Sequence, residues 1–170
     1  IKDLTPVSGV RFTSGSTLFE NNIAKESDIL VKRIEASGGI IYAKSNTPEF
    51  GAGGNTFNDV FGATLNPFDL TKSVAGSSGG SAAALASGTA WLAHGSDLGG
   101  SLRNPASFCG VVGLRPSPGR VPNGPRVLPF QNLGVQGPMA RNVADVALFL
   151  DAMTGESAQE PFSLPLPKKS

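Results

Sequence analysis

Two glycine-embedded serine clusters hold most of the residues in this chain whose types and spacing suit chemistry. The first reads "GSSGGSAAALASG" from Gly76, and the second reads "SDLGGSLRNPASFCG" from Ser96. A serine hydroxyl is a weak nucleophile until a base takes its proton. The usual base is an imidazole, yet the sequence contains 1 histidine, His94. Either the serines serve another purpose, or a different side chain removes the proton.

Four readings of these residues stand side by side. "GSSGG" matches a G-x-S-x-G nucleophile elbow centred on Ser78, which requires an acid and then a histidine downstream. No Asp or Glu lies between Ser78 and His94, so the chain order fails. A glycine run entering a helix also suits an anion, because free backbone N–H groups gather at a helix N-terminus. Neither a Gly-Lys-Ser/Thr ending nor a G-x-G-x-x-G pattern is present to specify a nucleotide. The plainest reading makes the glycines servants of tight turns and close helix packing. The fourth gives the base role to a lysine, which can act when desolvation lowers its pKa and leaves a neutral amine.

Elements must position these groups, and the periodicity supplies several. "ESDILVKRIEASGG" predicts a helix with Ser27 as N-cap, an apolar stripe through Ile29, Leu30 and Ile34, and Gly38 at its end. "IIYAKSN" reads as a short strand, and 47–81 as a long irregular loop of the kind that carries function. "GGSAAALASG" predicts a helix of small residues, "TAWLAHGSD" a buried strand and "GVVGLRPS" another short strand. "NVADVALFLDAMTG" is the best amphipathic helix, with Asn142 as N-cap and Gly155 closing it. Residues 156–170 have prolines and charge without a period, and read as a linker or tail.

The totals fit one globular domain. The 170 residues carry a formal charge of +1 and 39% hydrophobic residues, which gives no reason to expect nucleic-acid or anionic-membrane binding. One cysteine, Cys109, allows no internal disulfide; it reads as a small buried side chain in a reducing, cytoplasmic setting. No apolar run approaches the roughly 20 residues that span a bilayer. The opening "IKDLTPVSGV" has no leading element, and a piece of a longer protein is the expectation.

The run from "GSSGGSAAALASG" through "SDLGGSLRNPASFCG" to "GLRPSPGRVP" closely resembles the amidase signature family. The likeness continues through "IKDLTPVSGVRFTSGS", "GGIIYAKSNTPEFG" and "GPMARNVADVALFLDAMTG", so residues 1–155 are expected to be an amidase signature core. The resemblance implies an α/β fold, with a mixed β-sheet flanked by helices and incomplete relative to the family. It also implies a Ser-cisSer-Lys triad. Ser101 of "DLGGS" is then the nucleophile, Ser77 the bridging serine after a cis peptide bond, and Lys2 of "IKD" the base. Lys44 of "AKSN" is a rival lysine, better read as structural. Backbone amides of Leu98, Gly99, Gly100 and Ser101 become the expected oxyanion hole. Ser78 is expected either to bond within the triad loop or to cap the turn, Asp97 and Arg103 to brace the nucleophile loop, and His94 to be structural.

The implied activity is cleavage of a carboxylic amide through an acyl-enzyme, without cofactor or metal. The alternatives are an amidotransferase component that releases ammonia, or a non-catalytic module for assembly or binding. A small-molecule amide is the expected partner, with a second copy or the remainder of a longer chain covering the exposed apolar surface.

Overall fold

A computed structural model of the chain describes residues 1–124 and 128–165. The elements run α1 (Ile29–Ala36), β1 (Phe57–Asn58), β2 (Gly62–Ala63), β3 (Leu65–Asn66), β4 (Asp69–Ser73), α2 (Gly79–Ala86), β5 (Leu92–Asp97), α3 (Arg103–Phe108), β6 (Val112–Gly113), β7 (Val135–Ala140) and α4 (Val143–Met153). A three-stranded sheet in the order β5-β7-β6 lies at the centre, with antiparallel pairs on both sides of β7. A parallel bridge between Lys2 and Ser45 adds the remaining piece of sheet-like pairing near the site.

The period-2 alternation of a strand decides what packs on each face. On β5, Ala93 joins Val74, Ala82, Leu85, Leu102 and Met139 in one core, beneath α2 and α3. Its neighbour Leu92 packs against a second core of Leu30, Ile34, Val121, Phe149 and Met153, shared by α1 and α4. The result is helices on both sides of the sheet, an α/β layering that agrees with the sequence reading. The first core is built largely of alanines, and this is why α2 can approach the sheet so closely.

The helix ends mostly follow the sequence signals. Asp28, not Ser27, caps α1: its Oδ1 accepts from Leu30 N–H at 2.8 Å, while Ser27 Oγ accepts from Ser8 N–H at 2.9 Å. Both residues have capping side chains, and the helix begins one residue later than the pattern suggests. Gly38 takes φ +85° just past the end of α1, a left-handed conformation that favours glycine. Asn142 caps α4 as expected. Its Oδ1 accepts from Asp145 N–H at 2.8 Å and its Nδ2 donates to Asp145 Oδ2 at 2.8 Å. Asn142→Ala is expected to lose about 1 kcal/mol, which lowers the melting temperature by about 2–4 °C. A thermal melt that matches the parent protein would show that the cap contributes nothing.

Other expectations are corrected. "IIYAKSN" forms no strand: only Ser45 pairs, with Lys2, and the side chains of Ile40 and Tyr42 are exposed. The stretch 47–81 is not irregular throughout, since it contains two small antiparallel pairs, β1 with β2 and β3 with β4. The expected linker or tail at 156–170 is described as far as residue 165, where a few bonds join it to the body. Leu164 N–H donates to Gly119 O at 2.9 Å, and Arg33 donates to Thr154 O at 3.1 Å and Glu156 O at 2.5 Å. Residues 166–170 fall outside the described residues. Among the described residues, no helix is long and apolar enough to cross a membrane.

The central strand β7 has no counterpart in the sequence reading, because "VQGPMA" carries Gly137 and Pro138. A proline is normally excluded from a central strand, since it cannot donate to the ladder. Here Pro138 directs its carbonyl to Leu114 N–H at 3.1 Å, on the side away from β5. Its partner in register, His94, turns its own carbonyl to Ser81 Oγ at 2.8 Å. No β5–β7 bond therefore depends on the missing N–H.

Candidate active site

The free edge of β5 is closed by hydroxyls from the start of α2. Ser81 Oγ donates to His94 O at 2.8 Å; Ser78 Oγ donates to Ser96 O at 3.2 Å and accepts from Ser96 N–H at 3.2 Å. Serines three apart on a helix share a face, so both reach the same strand. Gly95 on β5 makes this approach possible, because a β-carbon there would lie 2.8 Å from Ser78 Oγ; Gly80 in turn lets the helix sit against the Asn46 backbone.

Just before α2, the Gly76–Ser77 peptide bond is cis. A β-carbon at Gly76 would lie 2.9 Å from Gly53 O and Asn55 N, so the turn packs too tightly for any other residue. Ala75 takes φ +58°, which a β-carbon disfavours. Two bonds hold it there: Ala75 N–H donates to Ser73 Oγ at 2.9 Å, and Thr56 Oγ1 donates to Ala75 O at 2.9 Å.

Into this corner comes Lys2, with 0% of its surface exposed. Its Nζ donates to Ser77 Oγ at 2.6 Å, to Ser96 Oγ at 2.9 Å and to Ser78 Oγ at 3.0 Å. Burial pushes the ammonium pKa down to about 7, against a smaller upward pull from Asp97. The amine is thus partly neutral near neutrality, as a general base must be. Lys44, the rival, forms an ion pair with Asp3 Oδ1 at 2.8 Å. Asp3 Oδ2 also accepts from Thr13 Oγ1 at 2.5 Å, so this network anchors the segment carrying Lys2.

Ser77 and Ser101 line one cleft of about 770 Å³, together with Ser96, Leu98, Phe50 and Gln136. The backbone ties the two clusters directly, Ser78 N–H donating to Ser101 O at 3.2 Å. A second groove of about 640 Å³, lined by Ile34, Ile40, Tyr42 and Phe149, includes neither serine. Of the three hydroxyls around Lys2, Ser78 already gives its hydrogen to Ser96 O, so it serves as an acceptor and is poorly placed to relay a proton.

The loop after β5 is organised by Asp97. Its carboxylate accepts from Gly100 N–H at 2.8 Å, Leu102 N–H at 3.1 Å, Arg103 Nε at 3.0 Å and Arg115 Nη1 at 3.0 Å. Arg115 also bonds the Asp97 carbonyl and reaches Leu133 O at 2.7 Å. Burial alone would raise the Asp97 pKa. The Arg103 guanidinium and the two amides outweigh it and hold the carboxyl well below the usual carboxylate range. Asp97 and Arg103 thus tie this loop together through the Gly100 and Leu102 amides and the guanidinium. Gly100 differs from its expected part: its N–H is committed to Asp97, leaving Leu98, Gly99 and Ser101 as the amides of this loop that bond no acceptor among the described residues.

A depressed carboxyl pKa stabilises the fold above the unfolded value of 3.8, and the contribution fades as pH falls through the folded value. Asp97→Asn is expected to cost on the order of 2–3 kcal/mol, less than a fully buried pair because Arg103 is half-exposed. It should also flatten the acid side of the stability profile. Urea midpoints at neutral and acid pH check both; unchanged midpoints would contradict the assignment.

His94 stands behind Lys2 rather than in the cleft. Cys109 is buried in the first core, where burial pushes its thiol pKa up. Among the described residues, no cluster of His, Cys, Asp and Glu could hold a metal ion. The sequence reading missed Ser96, Arg115 and Gln136. Ser96 was within reach of it, because it shares a face of β5 with His94 at a spacing of two. Nothing local marks Arg115, and Gln136 depends on the unrecognised strand.

The chain is 46% identical to a glutamyl-tRNA(Gln) amidotransferase subunit of Thermus thermophilus, over 99% of its own length and 36% of that protein. It is 45% identical to an acylamidase of Rhodococcus erythropolis, over 96% of its length and 34% of the relative. Among solved structures, 6-aminohexanoate cyclic dimer hydrolase in complex with its substrate superposes with a TM-score of 0.93 at 38% identity, over 99% of this chain and 36% of that one. The chain thus spans about a third of the length of these relatives. The family model for amidases matches residues 1–170, and with these relatives and this fold the chain belongs to the amidase family.

Proposed function

We propose that this chain carries the catalytic core of an enzyme that hydrolyses a carboxylic amide through an acyl-enzyme on Ser101. The observation that carries the reading is Lys2 Nζ, fully buried, 2.6 Å from Ser77 Oγ and bonded to hydroxyls rather than to a carboxylate. Ser101 Oγ attacks the amide carbon. Its proton passes to Ser77 Oγ as the Ser77 proton passes to neutral Lys2 Nζ. The oxyanion faces the amides of Leu98, Gly99 and Ser101, and one such donor is typically worth about 2.7–4 kcal/mol. The C–N bond then breaks while Lys2 returns a proton through Ser77 to the leaving nitrogen, releasing ammonia or an amine. Water attacks the ester by the same route, giving the acid and restoring Ser101. The lone buried thiol of Cys109 suits a cytoplasmic setting for this chemistry.

A fluorophosphonate probe tests the reading: covalent label is expected on Ser101 by peptide mapping. Label on Ser78, or none in a folded sample, would instead favour the elbow or the non-catalytic module. A second reading, an amidotransferase component releasing ammonia from an amide donor, is favoured by the 46% identity to the Thermus thermophilus protein. The same serine is labelled in both cases. A screen of simple acyl amides against glutamine separates them, since the second reading requires glutamine as the preferred donor.

A further inference from the structure

We propose that His94 is a positioning residue for Lys2, holding the main chain of the base against the sheet through one tautomer that Gln136 fixes. The inference rests on the reading of Lys2 as the base.

Lys2 is gripped from two sides by residues on one face of β5. Ser96 Oγ receives the ammonium at 2.9 Å, and two residues earlier His94 Nδ1 accepts the Lys2 backbone N–H at 3.3 Å. A backbone N–H can only donate, so Nδ1 must be unprotonated. The imidazole is neutral, because burial foremost pushes its pKa down to about 3. Its single hydrogen therefore sits on Nε2, which lies 2.6 Å from Gln136 Oε1 and donates to it. Gln136 pairs in register with Ser96 on the neighbouring strand, so it stands diagonal to His94 and reaches across with a long side chain.

The chain of contacts runs from cleft to base. Gln136 borders the cleft beside Ser77 and Ser101, while His94 is fully buried behind it. Other backbone bonds hold this segment: Asp3 N–H donates to Ser45 O at 3.0 Å, Ser45 N–H to Ile1 O at 2.9 Å, and the Lys2 carbonyl accepts from Thr5 N–H at 3.0 Å. His94 alone among the described residues accepts the amide of Lys2 itself. A histidine satisfied in a core would need only to fill space. A positioning histidine must in addition present an acceptor at Nδ1, and that difference can be measured.

The experiment uses the intact protein and the rate of fluorophosphonate labelling against pH, with ¹⁵N-histidine spectra of the parent. His94→Leu is expected to label on the order of ten- to a hundredfold more slowly, with a displaced acid limb. His94→Asn, whose Oδ1 stands close to the position of Nδ1, should recover most of the rate and the original limb. The imidazole signal lost in His94→Asn should show protonated Nε2 and bare Nδ1, without titration between about pH 5 and 8. The proposal is overturned by parent-like labelling of His94→Leu, by equally slow His94→Asn and His94→Leu in samples of equal stability, or by a protonated Nδ1. The spectrum of the parent decides the tautomer even where a variant fails to fold. Lys2→Met separates the two levels: if it keeps the parent limb, the base assignment fails; if it loses the limb while His94→Leu keeps it, only the positioning role fails.

Discussion

Ser101→Ala is expected to lower amide turnover by at least about 10⁴-fold and to abolish fluorophosphonate labelling. None of the three hydroxyls bonded to Lys2 can take its place. Ser78 is locked into the edge of β5, and Ser77 and Ser96 are held on Lys2 Nζ at 2.6 and 2.9 Å. Stability should stay within about 0.5 kcal/mol of the parent, because the Ser101 hydroxyl bonds nothing among the described residues and the change opens no core cavity. A large kinetic loss with an unaltered melt is the signature of a nucleophile. Retained turnover, or a loss matched by unfolding, would remove Ser101 from that role.

Lys2→Met should reduce kcat/KM by about 10²–10⁴-fold, the range for removing a general base. In the parent, kcat/KM should rise with pH through about 7 as the buried ammonium loses its proton. The variant should show no such limb. Stability provides an independent sign. The folded pKa of about 7 lies below the ordinary lysine value of 10.5, so between these values the unfolded chain holds a proton that the folded chain does not. Parent stability therefore rises with pH across that window, and below it the fold carries the full penalty of a buried ammonium. Methionine has similar length and no charge, so its urea midpoint should lack this rise. Parallel midpoints from pH 7 upward would mean that Lys2 is not desolvated as its burial implies.

How far the sequence discloses this site depends on the range of the interactions. The caps and helical stripes are local: Asn142 and the small-residue helix α2 follow from neighbours within a turn or two. The family likeness of "IKD", "GSSGGS" and "DLGGS" points to Lys2, Ser77 and Ser101 as a set, and the fold brings Lys2 and Ser77 together across 75 positions. The strand β7 stays hidden because Pro138 and Gly137 read as a turn, and only the three-dimensional pairing shows that its missing donor faces away from β5. The expected strand at "IIYAKSN" fails for the converse reason. Its apolar pattern is strand-like, but a strand needs a partner, and among the described residues only Lys2 pairs with it. Arg115 belongs to the same class, as its guanidinium matters only because folding carries it to Asp97, 18 positions away.

The three hydroxyls around Lys2 also set a direction. An ammonium has three hydrogens, and each has an acceptor here. Once one hydrogen leaves, the nitrogen holds a lone pair, and one hydroxyl must turn to point at it. Ser78 is kept from turning by its bond to Ser96 O. Ser77 and Ser96 both border the cleft, and Ser77 is the nearer to the nitrogen, at 2.6 Å against 2.9 Å. The array thus has two orientations, outward from nitrogen when charged and inward when neutral, and in the proposed cycle it would reverse and return twice, once in acylation and once in deacylation, without moving a heavy atom far.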